Sequence, residues 1–224
     1  MQRKIISEWL DDDIGTPSEI SASLVDLRHI NDWFGGTHTT AVLLRQIAKG
    51  SAQSSLSLLE VGAGAGDVPA AAQRIFNNNG YKLQVTLLDR MWTHLPANGS
   101  RAVAGDALRL PFGDDAFDVV GCSLFAHHLE AKELREFARE ALRVCRRAVL
   151  INDLIRSPLH LALVYAGFPL FRSRITRHDA PASVRRAYTR AEMLELLQGL
   201  PAKSVTISRH YLYRMGVVIS KGGT

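Results

Sequence analysis

One segment constrains the fold of this chain more than any other: an apolar run passes directly into closely spaced glycines and then into a helical pattern. The run ends at residue 61, and glycines follow at positions 62, 64 and 66. In an open parallel sheet, ligands bind at the carboxyl ends of the strands, where backbone without side chains lets them approach closely. The segment therefore predicts a strand, a ligand-binding turn and a helix of an α/β fold.

The rest of the chain repeats this alternation, because short apolar runs and helical stretches follow one another from residue 55 onward. This is the pattern of βαβ units. The predicted strands are residues 57–61, 84–88, 101–104, 117–122 and 148–152, with helices at 68–77 and 131–144. Apolar runs without strict alternation indicate strands that are buried on both faces. A helix at 190–197 then leads into predicted strands 204–208 and 215–220, which close the chain as an antiparallel pair.

We predict a single domain, residues 1–224, in four parts. These are an N-terminal helical cap (1–50), a core (51–156), an apolar and arginine-rich lid that contacts substrate (157–190), and a C-terminal helix and hairpin (191–224). In the cap, the spacing of residues 5, 6, 9 and 10 predicts a first helix. A second apolar helical face runs through residues 24, 27 and 30, and a third helix over 40–49 is predicted to end at Gly50.

Composition excludes several classes of protein. Hydrophobic residues make up 46% and charged residues 22% of the 224, which is typical of globular domains. Cys122 and Cys145 are too few for a disulfide framework or a cysteine-built zinc site. The longest apolar stretch, residues 159–171, is shorter than the roughly 20 residues that a bilayer requires. With no secretory signal pattern and a modest net charge of +5, we expect a cytoplasmic protein without a nucleic-acid partner.

Acidic residues at the predicted strand ends indicate the kind of ligand. The dinucleotide fingerprint would place its third glycine at position 67, where Asp67 stands, and Glu60 adds a second negative charge. Such an acidic rim disfavours phosphates and favours a cationic, phosphate-free ligand. Asp89 ends the second strand, where a carboxylate holds a ribose diol, and Asp106 ends the third. Taken alone, each acid is equally well explained as a helix cap or turn residue.

The combination resembles the class I S-adenosylmethionine (SAM) dependent methyltransferases. Residues 60–66 resemble the first motif of that family, Asp89 its ribose-binding acid, and residues 105–107 its adenine-contacting turn. Residues 110–120 resemble the branch that methylates ubiquinone, menaquinone and other small molecules. The resemblance implies a Rossmann-like, seven-stranded, mostly parallel sheet with an antiparallel last strand. It also implies SAM as cofactor, S-adenosylhomocysteine (SAH) as product and a methyltransferase activity of class EC 2.1.1.

The same resemblance assigns roles to individual residues. The predicted cofactor-binding residues are Glu60, Gly62, Ala63, Gly64, Gly66, Asp89, Arg90, Asp106, Ala107 and Ser123. His127 and His128 follow the fourth strand and are predicted to be catalytic, because a histidine is suited to removing a proton from the acceptor. The alternative is that both histidines only pack or line the pocket. The predicted substrate-binding residues are Trp33, Phe168, Arg174 and Tyr188.

No metal is predicted. Asp153 ends the fifth strand, but histidines rather than a carboxylate follow the fourth, and magnesium prefers oxygen ligands.

These features predict methylation of a small molecule, namely O-methylation of a phenolic, quinone-like or polyketide-derived acceptor in secondary metabolism. The apolar half and the arginines of the lid also fit a peripheral contact with an anionic membrane, and we expect a monomer or homodimer. Two alternatives stay open: an RNA or protein methyltransferase, and an inactive SAM-binding interaction module. The intact glycines and strand-end acids count against the inactive module.

Overall fold

Within the residues that the computed structural model describes, 1–49, 55–96 and 101–222, seven strands form one sheet. Gly50, the predicted end of the third helix, lies outside these residues. The spatial order is β3-β2-β1-β4-β5-β7-β6. The strands are β1 (Ser55–Val61), β2 (Lys82–Asp89), β3 (Ala102–Ala104), β4 (Phe117–Ser123), β5 (Cys145–Leu154), β6 (Ser204–His210) and β7 (Arg214–Ser220).

The pairing of the strands confirms the predicted fold class. Strands β1 to β5 are parallel, whereas β7 runs antiparallel to both β5 and β6. The carboxyl ends of β1, β2 and β4 therefore lie at one edge of the sheet. This is the edge where the order reverses between β1 and β4, which is the usual ligand-binding position in an open α/β sheet.

Helices cover both faces of the sheet, as the unbroken apolar strands require. They are α1 (Pro17–Trp33), α2 (Gly36–Ala48), α3 (Asp67–Asn77), α4 (Ala131–Val144), α5 (Pro158–Ala166), α6 (Arg174–Arg186) and α7 (Arg190–Leu197). One buried core includes side chains of α4 and α7, and the other includes side chains of α2 and α3. Among the described residues, none of these helices has both the length and the apolar character needed to cross a membrane.

The N-terminal segment corrects the sequence prediction, because residues 5–10 do not form a helix. The Asp179 carboxylate of α6 accepts hydrogen bonds from the backbone N–H groups of Trp9 and Leu10, at 2.8 and 3.0 Å. The N–H of Lys4 donates to the carbonyl of Arg185 at 3.0 Å. Because α6 takes these donors, the segment lies along the lid. Trp9 stacks on His178 of α6, whereas Ile5 is 61% exposed, so the apolar spacing does not mark one buried helical face.

Helix α1 forms as predicted, but its apolar face does not enter the core. Leu24, Leu27 and Ile30 stay partly exposed and line two cavities. The buried residues of α1 are instead Ser23, Asp26 and Asn31. Asp26 accepts hydrogen bonds from the backbone N–H groups of residues 172 and 173, at 2.8 and 3.0 Å. Polar contacts therefore fasten α1 to the lid, and its apolar side is left for ligands.

We expect Asp179→Ala to lower the free energy of unfolding by about 1.5–3 kcal/mol, because two buried backbone donors lose a charged acceptor. Urea denaturation measures the loss, and limited proteolysis should show faster cleavage within residues 1–13. Asp12→Ala, a change at an exposed aspartate of the same segment, serves as the control. Equal stability of the two variants would contradict the role given to Asp179.

Candidate functional site

A cavity of about 630 Å³ lies at the carboxyl ends of β1, β2 and β4. We call it the glycine-loop cavity, because the loop of residues 62–66 forms one wall. All ten residues that the sequence predicts to bind a cofactor line this cavity. Its volume is within the usual range of small-molecule sites. The structure thus brings the predicted set together, and cofactor binding by these residues stays a prediction.

The glycine loop has a backbone that other residues adopt only with strain. Gly62, Gly64 and Gly66 have φ angles of +64°, +51° and +74°. A Cβ on Gly62 would lie 2.3 Å from Cδ2 of Phe125, whereas a Cβ on Gly64 would meet nothing within 4 Å. The N–H of Gly64 donates to Oδ2 of Asp89 at 2.9 Å. This bond fixes the loop to the end of β2, so the loop and the predicted ribose acid form one unit.

Glu60 ends β1 beneath the loop and is 1% exposed. Burial raises the pKa of its carboxyl group to about 7, and the side chain of Ser123 offsets part of this effect. Neither carboxylate oxygen receives a well-formed hydrogen bond from the described residues. A buried carboxyl group with so little pairing at the wall of a cavity favours a ligand that brings a cationic or hydrogen-bond-donating group.

A second cavity, of about 530 Å³, lies between α1, α5 and α6. We call it the apolar cavity, because leucine, isoleucine, valine and phenylalanine side chains make up much of its wall. Five residues line both cavities: Leu10, Asp11, Leu27, Leu124 and His128. Leu124 has a φ angle of +56°, an uncommon backbone for a leucine, and strain of this kind is often found at functional sites. The two cavities therefore meet at the end of β4.

His127 lies at the wall of the apolar cavity between two carboxylates. Its Nδ1 is 2.7 Å from Oδ1 of Asp153, and its Nε2 is 3.5 Å from Oε1 of Glu8. Its backbone N–H donates to the other oxygen of Asp153 at 2.8 Å. Burial alone lowers the pKa of His127, but the carboxylates of Asp153 and Glu8 more than offset this effect and raise the pKa to about 10. Asp153 thus positions His127 through both the side chain and the backbone N–H of the histidine.

His128 stands at the junction of the two cavities, and the centre of its ring is 4.2 Å from that of His127. Its Nδ1 is 2.8 Å from Oδ2 of Asp11, and its Nε2 is 4.0 Å from Oε1 of Glu8. Sequence reasoning missed Glu8 and Asp11 because it assigned a helix to the segment that contains Glu8 and gave Asp11 no role. The sequence signal that could have found Asp11 is the run of aspartates at positions 11–13, directly after the apolar residues 9 and 10.

The four predicted substrate residues are placed differently. Trp33 lines the rim of the apolar cavity and stacks on His29. Phe168, Arg174 and Tyr188 are not among the described residues that line either cavity. Arg174 pairs with Glu19 at the surface. Tyr188 is buried in the core, where its hydroxyl donates to the carbonyl of Leu129 at 2.8 Å. The lid stays a prediction, and the sequence did not determine which side chains of residues 157–190 turn inward.

Sequence reasoning also missed Arg214 at the start of β7, which lines the apolar cavity and is 1% exposed. Its guanidinium donates to Oδ1 of Asn31 at 2.9 Å, while Nη1 has no partner among the described residues. Burial lowers the pKa of this arginine to about 10. An arginine at the start of a strand gives no sequence signal that distinguishes it from a surface residue.

Comparison with known proteins agrees with this geometry. Residues 59–151 match the family model of a methyltransferase domain. A stretch of 94 residues is 31% identical to the uncharacterized methyltransferase YcgJ of Bacillus subtilis (strain 168). That match covers 40% of this chain and 36% of YcgJ, so the chain spans a little over a third of the length of this curated relative.

Solved structures show the same fold at low sequence identity. The plantazolicin methyltransferase BpumL, in complex with SAH, superposes with a TM-score of 0.68 at 12% identity, over 96% of this chain and 94% of BpumL. An O-methyltransferase family 2 protein from Planctomyces limnophilus DSM 3776, in complex with apigenin, gives a TM-score of 0.61 at 17% identity, over 93% of this chain and 63% of that protein. At these identities the solved structures show the fold alone, which is that of the Rossmann-like methyltransferases, and the family model matches a methyltransferase domain within residues 59–151.

We expect Gly62→Ala to destabilise the chain more than Gly64→Ala. Both changes place an L side chain at positive φ, which costs about 1–2 kcal/mol, but only the first adds a clash with Phe125. The difference between their free energies of unfolding in urea measures that clash, and the Gly64 variant is the matched control. Equal losses would show that the ring of Phe125 moves aside freely.

Proposed function

We propose that this chain transfers a methyl group from SAM to a small molecule that binds in the apolar cavity. The observation that carries the proposal is the meeting of two unlike cavities at five shared residues. One cavity is acidic and rich in glycine, and the other is largely apolar. A cofactor and an acceptor that occupy the two cavities would meet at His128 and Leu124.

The residues of the glycine-loop cavity fit SAM. Its buried, poorly paired Glu60 suits a ligand with a cationic amino-acid group, and Asp89 stands where a ribose diol is held. Asp67 and Glu60 disfavour a pyrophosphate at the start of α3, which argues against NAD or ATP. When bound, SAM supplies an electrophilic methyl group on its sulfonium. The presence of SAH in the BpumL complex supports the same choice.

The task of the protein is then to align the acceptor and exclude water. Residues of the N-terminal segment, the lid and α1 line the apolar cavity. Nε2 of His127 and Oε1 of Glu8 are buried at its wall, where they face each other at 3.5 Å. We propose that they contact the acceptor at an oxygen, with His127 and His128 as catalytic residues. The Planctomyces O-methyltransferase bound to apigenin supports an oxygen-directed reaction.

An apolar cavity under a lid favours a phenolic, quinone-like or polyketide-derived acceptor over RNA or a folded protein. The ubiquinone- and menaquinone-like branch, a place in secondary metabolism and a cytoplasmic location belong to the same proposal. So do a monomeric or dimeric state and a peripheral membrane contact. For the membrane contact, the supporting observation is that Leu159, Leu163 and Leu170 of the lid are exposed.

Calorimetric titration with SAM, SAH and NAD tests the cofactor. We expect the two adenosyl ligands to bind and NAD not to bind. Asp89→Ala should weaken SAH binding by about 1–3 kcal/mol, because ribose hydroxyls lose their acceptor and the glycine loop loses its tie to β2. Asp32→Ala, a change at an exposed aspartate remote from the glycine loop, is the control. Unchanged affinity in the Asp89 variant would refute the assigned position of the cofactor.

Turnover of phenolic acceptors tests the histidines. We expect His128→Ala to lower kcat by about 10²-fold or more, because an imidazole that handles the acceptor proton contributes on that scale. SAH titration of the same variant shows whether the glycine-loop cavity survives, and His38→Ala at an exposed histidine is the control. If kcat falls only slightly in both His127→Ala and His128→Ala, the two histidines only pack against their neighbours and are not catalytic.

A further inference from the structure

Three side-chain atoms converge at the wall of the apolar cavity. Nε2 of His127, Nε2 of His128 and Oε1 of Glu8 all lie within 4.8 Å of one another. The carboxylate oxygen is 3.5 Å from the first nitrogen and 4.0 Å from the second. All three residues line the apolar cavity, and His128 also borders the glycine-loop cavity. The cluster therefore stands where the acceptor would meet the cofactor.

Two of these atoms are buried and face each other. Oε1 of Glu8 and Nε2 of His127 are 3.5 Å apart, and the two residues are only 8% and 3% exposed. This ion pair is at the limit of hydrogen-bond distance, and neither atom has another hydrogen-bond partner in the part of the chain that the structure describes. Buried polar atoms are nearly always well paired in folded proteins. A long contact of this kind at a cavity wall favours a ligand that binds both atoms.

The opposite side of each imidazole is held by a carboxylate. Asp153 contacts Nδ1 of His127 at 2.7 Å, and Asp11 contacts Nδ1 of His128 at 2.8 Å. Histidines that bind metals typically donate their second N–H to a carboxylate in this way. The contact holds a proton on Nδ1, so Nε2 is the nitrogen that would bind the ion. Binding would displace the proton that Nε2 of His127 otherwise directs at Oε1 of Glu8, as metal binding to histidine does.

We propose that Glu8, His127 and His128 bind one divalent first-row transition-metal ion of the zinc or iron(II) class. Two imidazole nitrogens and one carboxylate oxygen suit such ions better than magnesium or calcium, which prefer oxygen ligands. Ligand atoms of a tetrahedral site lie about 3.4 Å apart when each bond is about 2.1 Å. The 3.5 Å separation of Glu8 and His127 meets this value, and the 4.0 Å separation of Glu8 and His128 requires a small side-chain movement.

Three protein ligands leave at least one position open, as in catalytic metal sites. This role rests on the proposed function and specifies its acceptor, with the two histidines acting on the acceptor as ligands of the ion and not as direct proton acceptors. The acceptor is a compound whose hydroxyl oxygen binds the ion, with a neighbouring carbonyl or second hydroxyl oxygen that completes a chelate. On coordination the O–H bond breaks and the proton passes to solvent water, so the oxygen stays bound with its electron pair. The site thus departs from the expectation, drawn from the sequence, that the chain holds no metal.

Zinc binding tests the site without any need for activity. The full chain is treated with a chelator, freed of it and titrated with Zn²⁺ by calorimetry, with metal analysis of the dialysed product. We expect one ion per chain. Glu8→Gln and His128→Ala should each weaken binding about 100-fold or more, and Asp11→Asn about 10- to 100-fold, because it removes the support of a ligand. His38→Ala, a change at an exposed histidine away from the cluster, should leave binding unchanged.

SAH titration of each variant shows that it is folded and separates the two proposals. Zinc binding by a chain that does not bind SAH would support the metal site and reject the proposed cofactor. If the chain binds SAH but takes up no zinc, the metal site is overturned and methyl transfer still stands. The same holds if the wild type and the Glu8, His128 and Asp11 variants bind zinc with equal affinity. The metal site would also be overturned if zinc binding were lost in the His38→Ala control alone.

Discussion

The candidate site depends on one carboxylate that lies outside it. Asp179 of α6 accepts the backbone N–H groups of Trp9 and Leu10, and so holds the N-terminal segment along the lid. That segment brings Glu8 and Asp11 to the histidine pair at the end of β4. The contact joins two parts of the chain that are some 170 positions apart. The end of β4 supplies the two histidines of the site, and the N-terminal segment held by this contact supplies Glu8 and Asp11.

The sequence was sufficient to predict the part of the site that lies at the ends of the strands. Its strands and helices have clear periodicity, and each predicted cofactor residue lies at or just beyond the carboxyl end of a strand. Because the carboxyl ends of neighbouring parallel strands share one edge, residues such as Glu60, Asp89 and Ser123 had to come together once the strand order was known. Local pattern and one topological rule therefore located the glycine-loop cavity.

The sequence was insufficient wherever a long-range contact decides the structure. Residues 5–10 have helical spacing, yet α6 takes their backbone donors, so no helix forms. Tyr188 and Arg174 lie in the predicted lid, but one turns into the core and the other pairs with Glu19 at the surface. No spacing rule encodes such orientations, since they depend on which neighbour each side chain meets after folding.

The position of α1 has a consequence for how this protein can change. Its apolar face forms part of the wall of both cavities: Leu24 lines the glycine-loop cavity, Ile30 lines the apolar cavity, and Leu27 lines both. Polar contacts such as that of Asp26 with the lid hold the helix in place. The residues that shape the cavities are therefore separate from those that keep the helix attached. Substitutions along this face can therefore reshape the two cavities at little expense to the stability of the fold.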